Sequence, residues 1–382
     1  MVGYGIDVLW ESGRYDDLLK NRRVGLLTNP TGLDTRFRST VDLLNSRFRL
    51  TALFGPEHGV RGDQAPGAEI ATTRDRATGL PVYSLYRKDS KRLTEEMLDA
   101  FDVLVYDIQD VGSRYYTYIY SLLYALEDCA RAGKPVVVLD RPNPLGGNVV
   151  EGNRVKPEYT SFVGGYPLCM RYGLTIGEFA RMANQTLGAQ LTVVPCAGWR
   201  REMLWPDTGL LWVMPSPNLP RFEAALLYAG TCLFEGTNLS EGRGTAAPLE
   251  LIGAPYIDDP AALAAAMNQK ALPGVLFRPQ WFTPSLQKNA GQLCGGVQLH
   301  VTDARSLRPV RTALELLYEV EKRWPQDFAW RTVLPPATQP HIKLLGGDDQ
   351  LYRKVPLAEI LEQYAAEEAA FAREKRASHL YE

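Results

Sequence analysis

The sequence predicts an α/β protein of two domains, the first built on a parallel sheet and the second smaller. Three observations carry this. Short β-branched runs alternate with amphipathic stretches through the first half, the pattern of a parallel sheet with helices on its faces. A polar motif stands immediately after four of those runs. Beyond Pro206 the texture changes, with Pro215, Pro217 and Pro220 punctuating a loop before a glycine-rich stretch from Gly230 to Gly253.

In chain order, strands are expected at Arg23–Thr28, Leu50–Phe54, Val103–Asp107 and Val136–Asp140. Between the last two, Ile119, Leu122, Leu123, Leu126 and Ala130 recur at helical spacing and Gly133 follows as a C-terminal cap, completing a βαβ unit. Thr175 and Glu178 form a capping box ahead of Phe179, Ala180, Ala183 and Leu187, a helix that Gly188 closes, and a strand at Gln190–Pro195 follows. The boundary falls near residue 220, giving domains over 1–220 and 221–382. The second contains a helix at Pro260–Gln269, strands near Val275–Arg278 and Gly296–Thr302, a helix at Val310–Arg323 and a last helix from about Leu357. Its charges, Glu367, Glu368, Arg373, Glu374, Lys375 and Arg376, read as a solvated face.

Composition excludes several classes. The 382 residues carry 42 Lys plus Arg against 44 Asp plus Glu, a net charge of −2, so no basic field attracts nucleic acid. The 5 cysteines include no CxxC and suit neither a full disulfide framework nor a thiolate zinc site. Met1 to Trp10 has no basic and apolar leader, and no apolar run reaches the ~18 residues of a membrane span. Dinucleotide, P-loop, nucleophile-elbow and HExxH signatures are absent, and His58, His300, His341 and His379 lie far apart, so no cofactor or metal is called for.

The four strand-end motifs are Thr28-Asn29-Pro30-Thr31-Gly32, Gly55-Pro56-Glu57-His58-Gly59, Asp107-Ile108-Gln109-Asp110 and Asp140-Arg141-Pro142-Asn143-Pro144. In a parallel sheet all four reach the carboxyl-end rim, where open α/β folds bind ligands. Each alone also reads as a turn or a cap. Glu57, with His58 beside it between glycines and a proline, is the sharpest candidate for acid or base work; the plainer alternative is an ion pair with Arg61. Tyr106 to Tyr118 joins the carboxylates of Asp107 and Asp110 with Gln109, Arg114 and four tyrosines including Tyr118, the chemistry of a sugar site, although some tyrosines must pack helices and Asp110 could cap one. In the second half, Phe234 to Thr245 sets Glu235, Asn238, Glu241 and Arg243 among glycines, a loop suited to facing a ligand across an interdomain cleft, with Phe234 and Leu239 as anchors.

Taken in order, the four rim motifs and Glu235-Gly236-Thr237-Asn238-Leu239-Ser240-Glu241-Gly242-Arg243-Gly244-Thr245 resemble the NamZ-type exo-β-N-acetylmuramidases, long catalogued as a domain of unknown function. The resemblance runs from about Gly5 to the C-terminus. It implies a Rossmann-like N-terminal domain, a smaller C-terminal domain, and a cleft between them that removes N-acetylmuramic acid from the non-reducing end of peptidoglycan fragments. It also implies that Glu57 is the catalytic acid, and an export to the cell envelope that this N-terminus does not display. One departure is visible: Cys169-Met170-Arg171-Tyr172-Gly173-Leu174-Thr175 carries Tyr172 where the family pattern has His.

The resulting expectation is a glycoside hydrolase acting on muramyl saccharides, with Glu57 as acid and its second catalytic group among Asp107, Asp110, Glu235 and Glu241. Asn29, His58, Gln109, Asp110, Arg114, Tyr118, Asp140, Arg141, Asn143, Arg171, Asn238 and Arg243 are its expected sugar contacts. Arg243 or Arg114 is favoured for the lactyl carboxylate, since a guanidinium binds such a group through two parallel hydrogen bonds, whereas Arg141 beside Pro142 reads as structurally held. The competing readings are a Mg²⁺-dependent hydrolase using Asp107, Asp110 and Asp140, and a glycan-binding protein without turnover.

Overall fold

The computed structural model describes residues 2–56, 59–61, 73–87, 90–333 and 338–382. Ten strands form two sheets: β1 (Val24–Thr28), β2 (Leu50–Gly55), β3 (Thr73–Arg74), β4 (Pro81–Ser84), β5 (Val103–Asp107), β6 (Val136–Leu139) and β7 (Leu191–Val194) in one, and β8 (Leu251–Ala254), β9 (Val275–Phe282) and β10 (Cys294–Val301) in the other. The helices are α1 (Gly5–Ser12), α2 (Thr40–Arg47), α3 (Glu95–Asp99), α4 (Tyr118–Arg131), α5 (Ile176–Leu187), α6 (Phe222–Thr231), α7 (Pro260–Gln269), α8 (Pro309–Arg323), α9 (His341–Gly346) and α10 (Leu357–Glu374).

The large sheet has the order β3-β4-β2-β1-β5-β6-β7 and is parallel except for β3. Its central strands read as unbroken apolar runs because both faces are covered. On one face Phe54, Tyr106, Ile119 and Phe179 share a core; on the other Ile6, Leu26, Leu44 and Val105 do. Neighbours Val105 and Tyr106 point to opposite cores, as the two-residue period of a strand requires. The Thr175–Glu178 capping box opens α5 and Gly188, at φ 65°, closes it.

The small sheet is antiparallel, in the order β8-β10-β9. Strand β9 runs four residues past the expected Arg278, through Pro279. It is an edge strand, where a residue without an N–H costs no ladder bond. Helix α6 ends and strand β8 begins within the glycine-rich stretch from Gly230 to Gly253.

The last helix departs from the expected solvated face. Glu368 Oε1 accepts from Gly152 N at 2.7 Å, Glu367 Oε2 from Arg154 N at 2.7 Å, and Glu374 pairs with Arg154. Lys375 is buried and donates to Gly173 O at 2.6 Å. Of this set Arg373, Glu374 and Arg376 remain exposed, while Glu367, Glu368 and Lys375 turn inward where α10 packs back onto the first half of the chain.

Candidate active site

Strand order alone selects a place for the site. From β1 the chain moves outward through β2 in one direction, then returns to place β5, β6 and β7 on the other side. The carboxyl ends of β1 and β5 therefore flank a topological switch point, where the connecting segments diverge and leave a crevice. Asn29 follows β1, and Gln109 and Asp110 follow β5. Hydrogen bonds tie the two loops together: Thr28 Oγ1 donates to Asp107 O at 2.7 Å, Thr31 N to Asn29 Oδ1 at 2.9 Å, and Gln109 N to Thr31 Oγ1 at 2.9 Å.

Behind this rim lies a saturated polar layer. Arg141 donates from Nε to Asp107 Oδ1 at 2.6 Å and from Nη2 to Asp107 Oδ2 at 3.0 Å, Thr40 Oγ1 donates to the same Oδ2 at 2.5 Å, and the Tyr4 ring lies beneath the guanidinium. Asp140 accepts from Thr175 Oγ1 (2.7 Å), Gly177 N (2.7 Å) and Tyr381 Oη (2.5 Å). Burial pushes its carboxyl up to about 6, against the pull of these donors. Asn143 spans Leu174 O and Leu145 N, and Arg171 is buried on Glu151 and Leu145 O. Asp107, Asp140, Arg141 and Asn143, expected as catalytic or sugar-binding groups, are engaged by protein partners that hold the rim loops together, and Arg171 is held in the same way except at Nε, which has no partner among the described residues. The same saturation speaks against a three-aspartate cation site, since Asp107 and Asp140 have every oxygen already accepting.

Three rim side chains keep an unmet hydrogen-bonding atom. Asn29 Nδ2, Gln109 Oε1 and Asp110 Oδ1 are buried and have no partner among the described residues. An unsatisfied buried polar atom is costly, and such atoms collect where a ligand or bound water completes them. Gln109 also lines a small recess with Tyr4, Thr31, Phe37, Arg141 and Trp205. Asp110 Oδ2 accepts from Tyr172 Oη and from Gly112 N (2.8 Å). Burial pushes its carboxyl up to about 6, and those donors hold it there. Asp110 does not cap α4, whose N-cap is Thr117. Gly112 takes φ 75°, and a Cβ there would meet Asn143 Oδ1 at 2.3 Å, so only glycine lets this turn close.

The Asp110 loop reaches the second half through aromatic contacts. Tyr116 Oη donates to Pro215 O at 2.8 Å, Tyr118 Oη lies on the same carbonyl, and the Tyr115 and Tyr116 rings each meet the Tyr228 edge at 6.2 Å. Tyr228 on α6 leads to Glu235 and Arg243, whose charges it feels. Arg243 pairs with Glu235 at 2.5 Å and Glu241 at 3.1 Å, and Lys288 reaches Glu241 at 2.8 Å. Glu235 and Arg243 remain partly accessible, while Glu241 is buried between two cations. Asn238 is corrected to a loop clamp: it donates to Asp327 O at 2.8 Å and accepts from Tyr256 Oη at 3.1 Å. Arg114 is also corrected. Fully buried, it donates to Asn153 O, Leu168 O, Leu345 O and Gly346 O, a staple between the two halves with no carboxylate among those acceptors.

Glu57 and His58 lie outside the described residues. Their flanks are placed: Pro56 and Gly59 follow β2, joined by Gly59 N to Pro56 O at 3.1 Å, on the strand next to β1. Arg61, the alternative partner for Glu57, pairs with Asp75 at 2.6 Å and Asp42 at 3.0 Å.

Residues 24–223 match the model of the N-terminal domain of exo-β-N-acetylmuramidase NamZ, and residues 226–381 match that of its C-terminal domain. The chain belongs to the NamZ family. Its relatives include the peptidoglycan β-N-acetylmuramidase NamZ of Bacillus subtilis (strain 168), 50% identical over 331 residues, which are 86% of this chain and 79% of that protein. Two solved structures of DUF1343 family proteins from Bacteroides fragilis NCTC 9343 share the fold, and each alignment covers 100% of this chain and 99% of the other. One has TM-score 0.89 at 36% identity, the other 0.76 at 29%.

Within this NamZ-family chain, the sequence missed three contributors. Lys288 carries no local motif, and only the fold brings it to Glu241. Tyr228 lies in a helix that its neighbouring glycines hid. Tyr172 was visible as a departure from the family pattern, but its contact with Asp110 depends on the packing of residues 62 positions apart.

Proposed function

We propose that this chain is an exo-acting glycoside hydrolase that releases N-acetylmuramic acid from the non-reducing end of peptidoglycan fragments. The observation that carries the site assignment is the state of Asp110. Of the carboxylates weighed for the second catalytic role, Asp107 is neutralised by Arg141, and Glu235 and Glu241 share Arg243. Asp110 has a buried oxygen with no partner among the described residues. Family membership and the similarity to a curated muramidase support the substrate class.

In this reading Glu57 is the general acid that protonates the leaving oxygen, and the Asp110 carboxylate meets the charge that develops at the anomeric carbon. Asn29 Nδ2 and Gln109 Oε1 supply a donor and an acceptor to the sugar. Arg243, at the accessible side of its ion-pair network, reads the lactyl carboxylate. The chain divides near residue 220 into a catalytic domain and a smaller domain that completes the cleft. Muramyl saccharides are the partners, and no helix among the described residues is long and apolar enough to cross a membrane.

The test is to incubate the protein with N-acetylmuramyl-N-acetylglucosamine and a chromogenic N-acetylmuraminide. Free N-acetylmuramic acid should accumulate from both. Binding without release would identify a glycan-binding protein instead.

A further inference from the structure

Tyr172 is fully buried, and its hydroxyl donates to Asp110 Oδ2. Phenylalanine would fill the same volume but leave the buried Asp110 carboxylate without this donor, so the hydroxyl serves the carboxylate and not the packing. The backbone around it is held from several sides. Arg171 bridges Ser113 on one side and Glu151 on the other, and its guanidinium donates to Glu151 Oε1 at 3.0 Å and Leu145 O at 2.6 Å. Gly173 turns at φ 59°, and its carbonyl accepts from Arg201 Nη2 at 2.7 Å and Lys375 Nζ at 2.6 Å. The Tyr172 ring therefore has one place to point.

We propose that Tyr172 is a positioning residue that presents Asp110 to the sugar, occupying Oδ2 together with the Gly112 amide so that Oδ1 alone is left to accept from the substrate. This rests on the glycosidase reading above and adds a residue to it. Arg171 acts one step further back: its buried pair with Glu151 fixes the strand from which Tyr172 reaches. A carboxylate free to rotate would share its two oxygens between the donors and the sugar. Fixing one oxygen fixes the direction of the other, which is what preorganisation of a charged group demands.

The surroundings make the effect measurable. Among the described residues, the titratable groups facing Asp110 are phenols: Tyr106 on β5, Tyr116 in its own loop, Tyr120 on α4 and Tyr172. Burial raises all four, so none ionises as Asp110 titrates. Among the described residues no cation contributes to the Asp110 shift, and burial there works against the hydrogen bonds of Tyr172 and the Gly112 and Val111 amides.

The experiment is the pH profile of kcat/KM on a chromogenic N-acetylmuraminide, whose acidic limb reports the free enzyme. In Tyr172→Phe the lost donor should move that limb up by about one pH unit, with a roughly tenfold loss at pH 5 and a much smaller one at pH 8. Tyr172 replaced by 3-fluorotyrosine keeps the shape and strengthens the donor, and should move the limb down. Asp110→Asn should remove the acidic limb from what activity remains. An acidic limb in the same place for wild type, Tyr172→Phe and the fluorotyrosine protein would overturn the proposal, whatever the change in rate. A wild-type protein that fails to release muramic acid would overturn the glycosidase reading itself, a result distinct from an active enzyme with an unmoved limb.

Discussion

Arg141 engages both carboxylate oxygens of Asp107, Nε to Oδ1 at 2.6 Å and Nη2 to Oδ2 at 3.0 Å, with their side chains only 2% and 0% exposed. The pair joins the ends of β5 and β6 behind the rim. Arg141→Ala would leave Asp107 charged and uncompensated, a loss of ~3–5 kcal/mol for breaking a buried pair. Denaturant unfolding should show that loss, while Arg36→Ala at an exposed pair should cost less than ~1 kcal/mol.

Glu57→Gln keeps the shape of the side chain and removes its proton. If Glu57 is the acid, kcat should fall ~10²–10⁴-fold with an unchanged unfolding transition. Retention of near-wild-type kcat would remove Glu57 from the mechanism.

Arg243→Ala should weaken use of an N-acetylmuraminide and barely change the already poor use of the matching N-acetylglucosaminide. Only the muramic substrate has a lactyl carboxylate to lose its partner. Comparing kcat/KM for the two sugars in wild type and variant reads this directly. Equal hydrolysis of both by the wild type would refute carboxylate reading by any arginine.

Glu368 is raised from its ordinary 4.5 to about 7, first by burial and also by the nearby Glu151. The folded protein therefore holds this proton more tightly than the unfolded chain. Its contribution to stability is fully present below about pH 4.5 and is lost as pH rises through 7. Glu368→Gln still accepts from Gly152 N and does not ionise. Its Tm should match wild type near pH 4.5 and exceed it by roughly 2–4 °C at pH 8. Calorimetry at the two pH values checks this; an equal offset at both would exclude the titration as its cause.

Turnover should be unchanged by a chelator, because Asp107 and Asp140 are committed to protein donors and the chemistry proposed runs on carboxylates. Inhibition that added Mg²⁺ reverses would return the aspartates to the centre of the mechanism.

Much of the first sheet was legible from the sequence alone. Buried parallel strands such as Val103–Asp107 are continuous apolar runs, and helix α5 announces itself by Thr175, Glu178 and Gly188. These are local signals, written within one or two turns of chain. The continuation of β9 through Pro279 and the helix ending in Gly230 and Thr231 were missed for the same reason: proline and glycine read locally as breakers, and their tolerance depends on what lies beside them.

The sequence by itself determined the α/β class, the loops at the carboxyl ends of the strands and, through five ordered motifs, the family. Sorting those polar residues into structural and open ones was decided by tertiary structure. Arg114, Arg141 and Arg243 sit in equally polar motifs, yet the first holds carbonyls, the second a buried aspartate, and the third one buried and one partly accessible glutamate. A guanidinium or a carboxylate declares its charge in the sequence. Its partner comes from a distant part of the chain, as Tyr172 comes to Asp110, and whether an atom is left over for a ligand depends on how many such partners the fold delivers.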